Sequence, residues 1–206
     1  MYSIITPTFN REKALISSID SSISFAGDFC FGDELIVIDD ASTDNTREVI
    51  FSKYKSHFEQ KSIQYHLLPT NQGVTFAKNQ GACAASNEWL VFLDSDDQLL
   101  PDSRATIDHA IKEFPETEVF FFRCVDDKSN LIGPKINESK LLNLSDLLEH
   151  GTYGECLPVI RKSVFVQFLY DEDLRGFEGL SYLKMAMDGV NLRVMTGSAR
   201  RYSLLG

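Results

Sequence analysis

Two short apolar runs that end abruptly in carboxylates constrain this chain more than any other feature. Leu35-Ile36-Val37-Ile38 leads into Asp39-Asp40, and Trp89-Leu90-Val91-Phe92-Leu93 leads into Asp94-Ser95-Asp96-Asp97. Such runs read as strands, and they belong to a series expected at residues 2–6, 34–39, 63–67, 89–93 and 119–124. Helix-length amphipathic segments fall between them, at 12–25, 43–57, 74–85 and 102–114. This alternation predicts an α/β fold with a mostly parallel central sheet flanked by helices. In open sheets of that kind ligands sit outside the carboxyl ends of the strands, which is where these aspartates stand.

After Cys124 the rhythm loosens. Asp126-Asp127-Lys128-Ser129-Asn130 reads as a hairpin or loop, 144–150 as a short helix, 156–160 as a strand and 179–187 as a helix. A length of 206 residues suits one domain, since domains run to about 100–200 residues. The expected organisation is a Rossmann-like nucleotide half over 1–100 and a variable acceptor-side half over 101–206. A net charge of −10 speaks against a nucleic-acid partner, which calls for a basic stripe. It remains compatible with a phosphorylated ligand whose charge a metal or a few local cations offset.

Cys30, Cys83, Cys124 and Cys156 are widely separated, without a CxxC pair. That spacing is poor for structural zinc and predicts reduced thiols in a cytosolic compartment. No secretory leader is visible at the N-terminus, and no apolar run approaches the roughly 18 residues needed to span a bilayer. The expected location is cytoplasmic, with peripheral association at the inner face of the membrane left open.

Helix capping accounts for Ser42, Thr43 and Asp44, but not for Asp39 and Asp40 at a strand end. A carboxylate there can accept hydrogen bonds from a nucleobase or ribose. In Asp94-Ser95-Asp96-Asp97, three carboxylates within four residues repel one another and call for a compensating cation. On an extended segment Asp94 and Asp96 point to the same side. Oxygen ligands so placed suit magnesium or manganese, which bind through one or two carboxylates together with substrate phosphates. An acidic turn capping the helix after Pro101 would account for Asp97 alone.

With these residues in view, the chain resembles the family 2 glycosyltransferases, inverting enzymes of the A-type glycosyltransferase fold. Four stretches carry the resemblance, in the family's order. They are Ser3-Ile4-Ile5-Thr6-Pro7-Thr8-Phe9-Asn10, Val37-Ile38-Asp39-Asp40-Ala41-Ser42-Thr43-Asp44, Asn71-Gln72-Gly73-Val74-Thr75-Phe76-Ala77-Lys78-Asn79-Gln80-Gly81 and Phe92-Leu93-Asp94-Ser95-Asp96-Asp97. The resemblance implies inverting transfer of a sugar from a UDP- or other nucleoside-diphosphate sugar to a glycan or lipid-linked acceptor, as in surface polysaccharide synthesis. It further implies that Thr6, Pro7 and Phe9, with Asp39, hold the donor's base and that Lys78 stands near the nucleotide. Asp94 would bind the ribose or a metal-bound water, and Asp96 would bind the Mn2+ or Mg2+ that bridges the diphosphate.

Inverting transfer also needs a carboxylate to take the acceptor's proton. Similar enzymes carry a Glu-Asp pair ahead of a helix in the second half. Here that stretch is Leu174-Arg175-Gly176-Phe177-Glu178-Gly179-Leu180, with glycine in the aspartate's place. Glu178 is the expected base, and Asp171 and Asp173 are alternatives. The tail Arg200-Arg201-Tyr202-Ser203-Leu204-Leu205-Gly206 resembles the start of the family's basic segment without its histidine. Arg201, or its neighbour Arg200, is expected at the diphosphate, and the native chain is expected to continue past Gly206.

Other readings fit less well. A sugar nucleotidylyltransferase would show a glycine-rich basic loop after its first strand, and Pro7-Thr8-Phe9-Asn10-Arg11 has no glycine. An aspartate-nucleophile phosphohydrolase would have a threonine soon after its paired aspartates, and a phospho-receiver domain would be shorter. The alternative from another class is a catalytically inactive member of the same fold that binds nucleotide or a partner, which Gly179 keeps open.

Overall fold

The computed structural model describes residues 1–203. Leu204, Leu205 and Gly206, the end of the basic tail segment, lie outside the described residues. The first half alternates strand and helix: β1 (Tyr2–Thr8), α1 (Ala14–Phe25), β2 (Glu34–Asp39), α2 (Thr46–Lys53), α3 (Lys55–Glu59), β3 (Ile63–Leu67), α4 (Val74–Ala84) and β4 (Trp89–Phe92). The rest comprises β5 (Gln98–Leu99), α5 (Ser103–Glu113), β6 (Val119–Val125), β7 (Lys140–Leu142), α6 (Leu144–His150), β8 (Cys156–Arg161), α7 (Lys162–Phe165), α8 (Gly179–Met187) and β9 (Leu192–Arg201).

One sheet runs through the molecule in the order β3-β2-β1-β4-β8-β6-β9-β5, with β7 added on β9. The first four strands are parallel. β8 then enters antiparallel between β4 and β6, and β9 runs parallel to β6. β5 and β7 oppose β9, so most strands share one direction, as expected. The consequence for function is that β1, β2, β4, β6 and β9 all point their carboxyl ends at one edge. The amino end of β8 meets them there.

Strand alternation sorts the core into two layers. Ile4, Leu35, Val37, Val91, Phe120 and Phe122 pack with α1, α2 and α5 on one face. Ile5, Ile36, Ile38, Leu90, Phe92 and Phe121 pack with α4, α6, α7 and α8 on the other. Each such side chain, fully buried, contributes roughly 1.5–3 kcal/mol. Gly81 lets α4 lie close on this second layer: a Cβ there would come within 2.4 Å of Ile5 Cγ2.

The expected elements change in two ways, one helix dividing and short elements being added. The single helix over 43–57 is two, broken at Tyr54, whose φ of −111° and ψ of 29° leave the helical region. The Tyr54 hydroxyl donates to Asp20 Oδ1 (2.7 Å), tying the break to α1. The short strands β5 and β7, and the ten-residue β9, are additional to the expected set.

Candidate functional site

The carboxyl edge of the sheet holds two cavities that share one wall residue, Asp94. The smaller, about 300 Å³, lies at the end of β1, with Pro7, Thr8 and Phe9 on one side and Asp94, Ser95 and Asp96 on the other. Asp40, Val74 and Ala77 complete its wall. Pro7 and Phe9 therefore both line it. Thr6 is fully buried within β1 and does not line it; Thr8, two residues on and on the same strand face, does.

Asp39 is also withdrawn from both cavities. Its Oδ1 accepts the Ser42 N–H at 2.7 Å and its Oδ2 accepts the Tyr65 hydroxyl, so both oxygens are engaged by the protein. Burial, with the Asp39 carboxylate as hydrogen-bond partner, pushes the Tyr65 phenol's pKa up and keeps that proton in place. Asp40 is an internal clamp. Its two oxygens accept the N–H groups of Gln72 and Gly73 at 2.7 Å each, and Asn71 Nδ2 donates to its carbonyl at 3.2 Å. The clamp fixes the turn that opens α4, where Gly73 adopts φ 94°, a conformation that favours glycine.

The larger cavity, about 550 Å³, joins the two halves of the chain. Lys78 on α4 enters it and places Nζ 3.0 Å from Asp94 Oδ1 and 3.9 Å from Glu178 Oε1. Glu178 stands immediately before α8, with Gly176, Phe177 and Gly179 on the same wall. Leu147, Leu180 and Leu183 supply an apolar side, and Tyr170 and Tyr182 join hydroxyl to hydroxyl at 2.8 Å. Asp171 and Asp173, the alternative bases, do not line the cavity, because the segment bearing them turns outward before Glu178.

Arg200, the residue before the expected Arg201, is the arginine that enters this cavity. Successive strand residues face opposite ways, so β9 directs Arg201 away from it. Arg200 lies 3.2 Å from Asp97, 3.9 Å from Asp94 and 3.3 Å from Glu155, and its Nε donates to Cys124 Sγ at 3.1 Å. Burial disfavours its charge, but Cys124, Asp97 and Asp94 outweigh burial and hold the cation firmly. Burial likewise pushes Asp94 up, yet Lys78 and Arg200 prevail and keep its carboxyl below the usual value. At Asp97 burial prevails over Arg200 and the Ser203 N–H, and its pKa rises to about 6.

Two buried side chains absent from the expected set hold the frame. Asn79 accepts the Tyr170 N–H at 3.0 Å and donates to the Tyr170 carbonyl and Glu172 at 2.9 and 3.0 Å. It thereby ties α4 to the segment leading to Glu178. Arg123, fully buried on β6, donates to the carbonyls of Tyr153, Ile132 and Pro134, the latter two at 2.9 Å, and secures the loop that carries Thr152, Gly154 and Glu155. Only the Asn79 position carried a signal, inside the Lys78-Asn79-Gln80-Gly81 stretch.

Together the cavities are lined by five carboxylates (Asp40, Asp94, Asp96, Glu155, Glu178) and three cations (Arg11, Lys78, Arg200). Among the described residues no three acidic, histidine or cysteine side chains form a ready-made metal cage. The donors present do fit a hard divalent ion bound through one or two carboxylates with ligand oxygens completing the shell. Asp96 lines the small cavity, and its ion pair with Arg11, at 3.9 Å, is too long for a hydrogen bond.

Residues 3–168 match the family model described as glycosyl transferase family 2. The chain is 30% identical over 189 residues to the GalNAc(5)-diNAcBac-PP-undecaprenol beta-1,3-glucosyltransferase of Campylobacter jejuni, over 89% of this chain and 59% of that protein. It is 36% identical over 100 residues to a PGL/p-HBAD biosynthesis glycosyltransferase of Mycobacterium tuberculosis, over 48% of this chain and 36% of that one. In fold it is similar to S. aureus TarS in complex with UDP, with a TM-score of 0.80 and 19% identity over 98% of this chain and 60% of TarS 1-349. The Pyrobaculum calidifontis mannosyltransferase PcManGT, in complex with GDP-Man and Mn2+, gives 0.69 and 17% over 96% of this chain and 54% of that one. The chain thus spans about three-fifths or less of these relatives.

Proposed function

The chain belongs to glycosyltransferase family 2, and on that premise we propose that it moves a sugar from a nucleoside-diphosphate sugar to a hydroxyl of a glycan or lipid-linked acceptor, inverting the anomeric centre. One observation carries the reading: Asp94 is common to a small cavity at the end of β1 and a larger one holding Glu178, with Lys78 between the two carboxylates. The small cavity takes the nucleoside against Pro7, Thr8 and Phe9, and Asp94, kept ionised by Lys78 and Arg200, accepts hydrogen bonds from the ribose.

In the larger cavity the acceptor oxygen attacks the anomeric carbon opposite the leaving diphosphate. The bond from that carbon to the phosphate oxygen breaks, and its electron pair leaves with the diphosphate. Glu178 takes the acceptor hydroxyl's proton. Asp96 is the residue to hold Mn2+ or Mg2+, which when bound supplies positive charge beside the diphosphate. Lys78 and Arg200 act on the same charge from fixed positions, at no reorganisation cost during reaction.

The undecaprenol-linked substrate in the name of the Campylobacter relative supports a lipid-linked acceptor and a place in surface glycan synthesis. The four unbridged cysteines support a reducing, cytoplasmic location, with peripheral contact at the membrane's inner face. Among the described residues no helix is long and apolar enough to cross a membrane.

A second reading, an inactive nucleotide-binding member, rests on Gly179 in the position where similar enzymes have aspartate. One experiment addresses both: UDP, GDP, CDP and dTDP, each with and without Mn2+, against the melting temperature of wild type, Asp96→Ala and Glu178→Gln, with turnover in parallel. Ligand at about 100 times its dissociation constant adds roughly 2.7 kcal/mol, or about 5–10 °C for this size. We expect one nucleotide to give a metal-dependent shift that Asp96→Ala abolishes and Glu178→Gln retains while losing turnover. Nucleotide binding without turnover in wild type would favour the inactive member; no shift at all would defeat the donor site.

A further inference from the structure

Tyr170 and Tyr182 meet hydroxyl to hydroxyl at 2.8 Å in the wall of the larger cavity, and both are deeply buried, at 3% and 7% exposure. Tyr170 packs edge-on against Phe165 at 4.9 Å, and Tyr182 against Phe121 at 4.8 Å. The backbone fixes the pair as well. Asn79 holds the N–H and carbonyl of Tyr170. The Ser181 hydroxyl donates to the Leu169 carbonyl at 3.0 Å, joining the residue before one tyrosine to the residue before the other. Two phenols carry two protons, and the bond between them uses one. Among the described residues neither hydroxyl has another hydrogen-bonding partner, so the second proton is left for whatever occupies the cavity. Burial raises the pKa of both phenols and the Glu178 carboxylate adds to the rise, so both stay protonated. The pair is a neutral donor held in place before any ligand arrives.

The surroundings narrow what this donor can meet. Leu180 and Leu183 line the cavity from α8 beside Tyr182, and Leu147 joins them from α6. The cavity's cations, Lys78 and Arg200, sit with Asp94 and Asp97 and are taken up by the diphosphate in the reading above. A further anionic substituent therefore has no cation left to meet, and Glu155 and Glu178 repel it. A bare hydroxyl would accept the proton but turn its own O–H toward leucine, which is costly without a partner. An acetamido group suits both features, since its carbonyl oxygen accepts from the tyrosines and its methyl is apolar. Its N–H has the carboxylates of the same cavity to donate to.

We propose that the Tyr170–Tyr182 pair and the leucines beside it form a subsite for the acetamido group of a 2-acetamido sugar, either the sugar transferred or the one that receives it. The inference rests on the glycosyl-transfer reading above and adds the substrate class. The two hydroxyls partner only each other, so replacing both tyrosines by phenylalanine removes the donor, keeps the rings and leaves no orphaned group. Such paired removal is nearly neutral for stability, and Tyr170→Phe/Tyr182→Phe should melt close to wild type.

The test compares affinities within matched pairs, in wild type and in the double variant. UDP-N-acetylglucosamine against UDP-glucose, with Mn2+, probes the transferred sugar by calorimetry. Methyl glycosides of N-acetylglucosamine and N-acetylgalactosamine against those of glucose and galactose probe the receiving sugar by NMR titration. We expect wild type to prefer the acetamido member of at least one pair by about tenfold or more, from one hydrogen bond and one buried methyl. The double variant should lose about three- to tenfold of that preference. Independently of any variant, saturation-transfer NMR should show the acetamido methyl receiving the strongest saturation, and a methyl left unsaturated would count against the subsite. No preference in any pair in wild type, whether from equal binding or from none, would overturn the subsite, as would a preference that the double variant keeps in full. UDP binding without a preference leaves the donor reading standing. Should no nucleotide bind while a methyl acetamido glycoside does, the donor reading fails and the subsite stands.

Discussion

Asp94 and Asp97 stand three residues apart, share Arg200, and are driven in opposite directions. Asp94 has a second cation, Lys78 at 3.0 Å, and stays ionised; Asp97 has Arg200 but not Lys78 beside it, with Asp94 and Asp96 adding like charge, and burial pushes it up to about 6. The pair shows why carboxylates were legible as a cluster in the sequence while their separate roles were not. Each role depends on a cation that reaches the turn from a distant segment. The same limit explains Arg201. A basic pair at the tail was visible, but which member faces the cavity depends on the phase of β9. Gly179 is the residue whose meaning the structure sharpens. A Cβ there meets nothing within 4 Å, and its φ is unstrained for other residues. Glycine is therefore not required, and Gly179→Asp should fold, gaining about 0.3–1 kcal/mol from negative charge in the first turn of α8. If Glu178 is the base, turnover in this variant should stay within about threefold of wild type. A tenfold or larger rise would mean that the glycine disables the wild-type site.

α4 is the element on which the site turns. Its face toward the sheet carries Gly81 and Ala77, its start is clamped by Asp40, and its middle presents Lys78 to the cavity and Asn79 to Tyr170. The Gly73-to-Gly81 stretch was readable through its resemblance to the family's motif, whereas the groups that constrain it, Asp40, Ile5 and Tyr170, come from distant segments. β9 was not readable, because Thr196-Gly197-Ser198 interrupts the apolar alternation of a strand whose pairing with β6 shifts register there. The split of α2 from α3 escaped for a similar reason: the break serves a tertiary bond from Tyr54 to Asp20. Gly81 gives this scale its prediction. The Cβ of Gly81→Ala would lie 2.4 Å from Ile5 Cγ2 and 3.4 Å from Ile38 Cγ1, which overpacks the contact between α4 and the sheet. Overpacking typically costs about 1–3 kcal/mol, against about 1 kcal/mol gained from helix propensity. An approach as close as 2.4 Å belongs at the upper end of that cost, so the expected net loss is about 1–2 kcal/mol and the melting temperature falls by about 2–8 °C. A variant as stable as wild type would show that the Ile5 side chain yields freely.

The whole molecule assembles its site across a joint. The parallel half, β3-β2-β1-β4, brings Pro7, Thr8, Asp94 and Lys78; the second half brings Glu155, Glu178 and Arg200. The first half was legible because strand and helix alternate there with apolar runs of standard length. In the second half, long connections and short strands hide the order β8-β6-β9. Chains of more than about 150 residues often unfold in steps, and residues 1–100 and 101–206 could in principle be separate units. The architecture argues otherwise. β4 and β8 are hydrogen-bonded neighbours, and each apolar layer contains residues from both halves: Ile4 with Phe120 on one face, Ile5 with Phe121 on the other. Neither half can part without exposing both layers. Trp89, the one tryptophan, lies on β4 at this joint with the Arg161 guanidinium 4.6 Å from its ring. Its fluorescence therefore reports separation of the halves, while far-ultraviolet circular dichroism reports helices from both. In urea the two signals should follow a single coincident transition. A Trp89 midpoint displaced from the helical one would mean that the halves are independent domains, and that the site forms only when they dock.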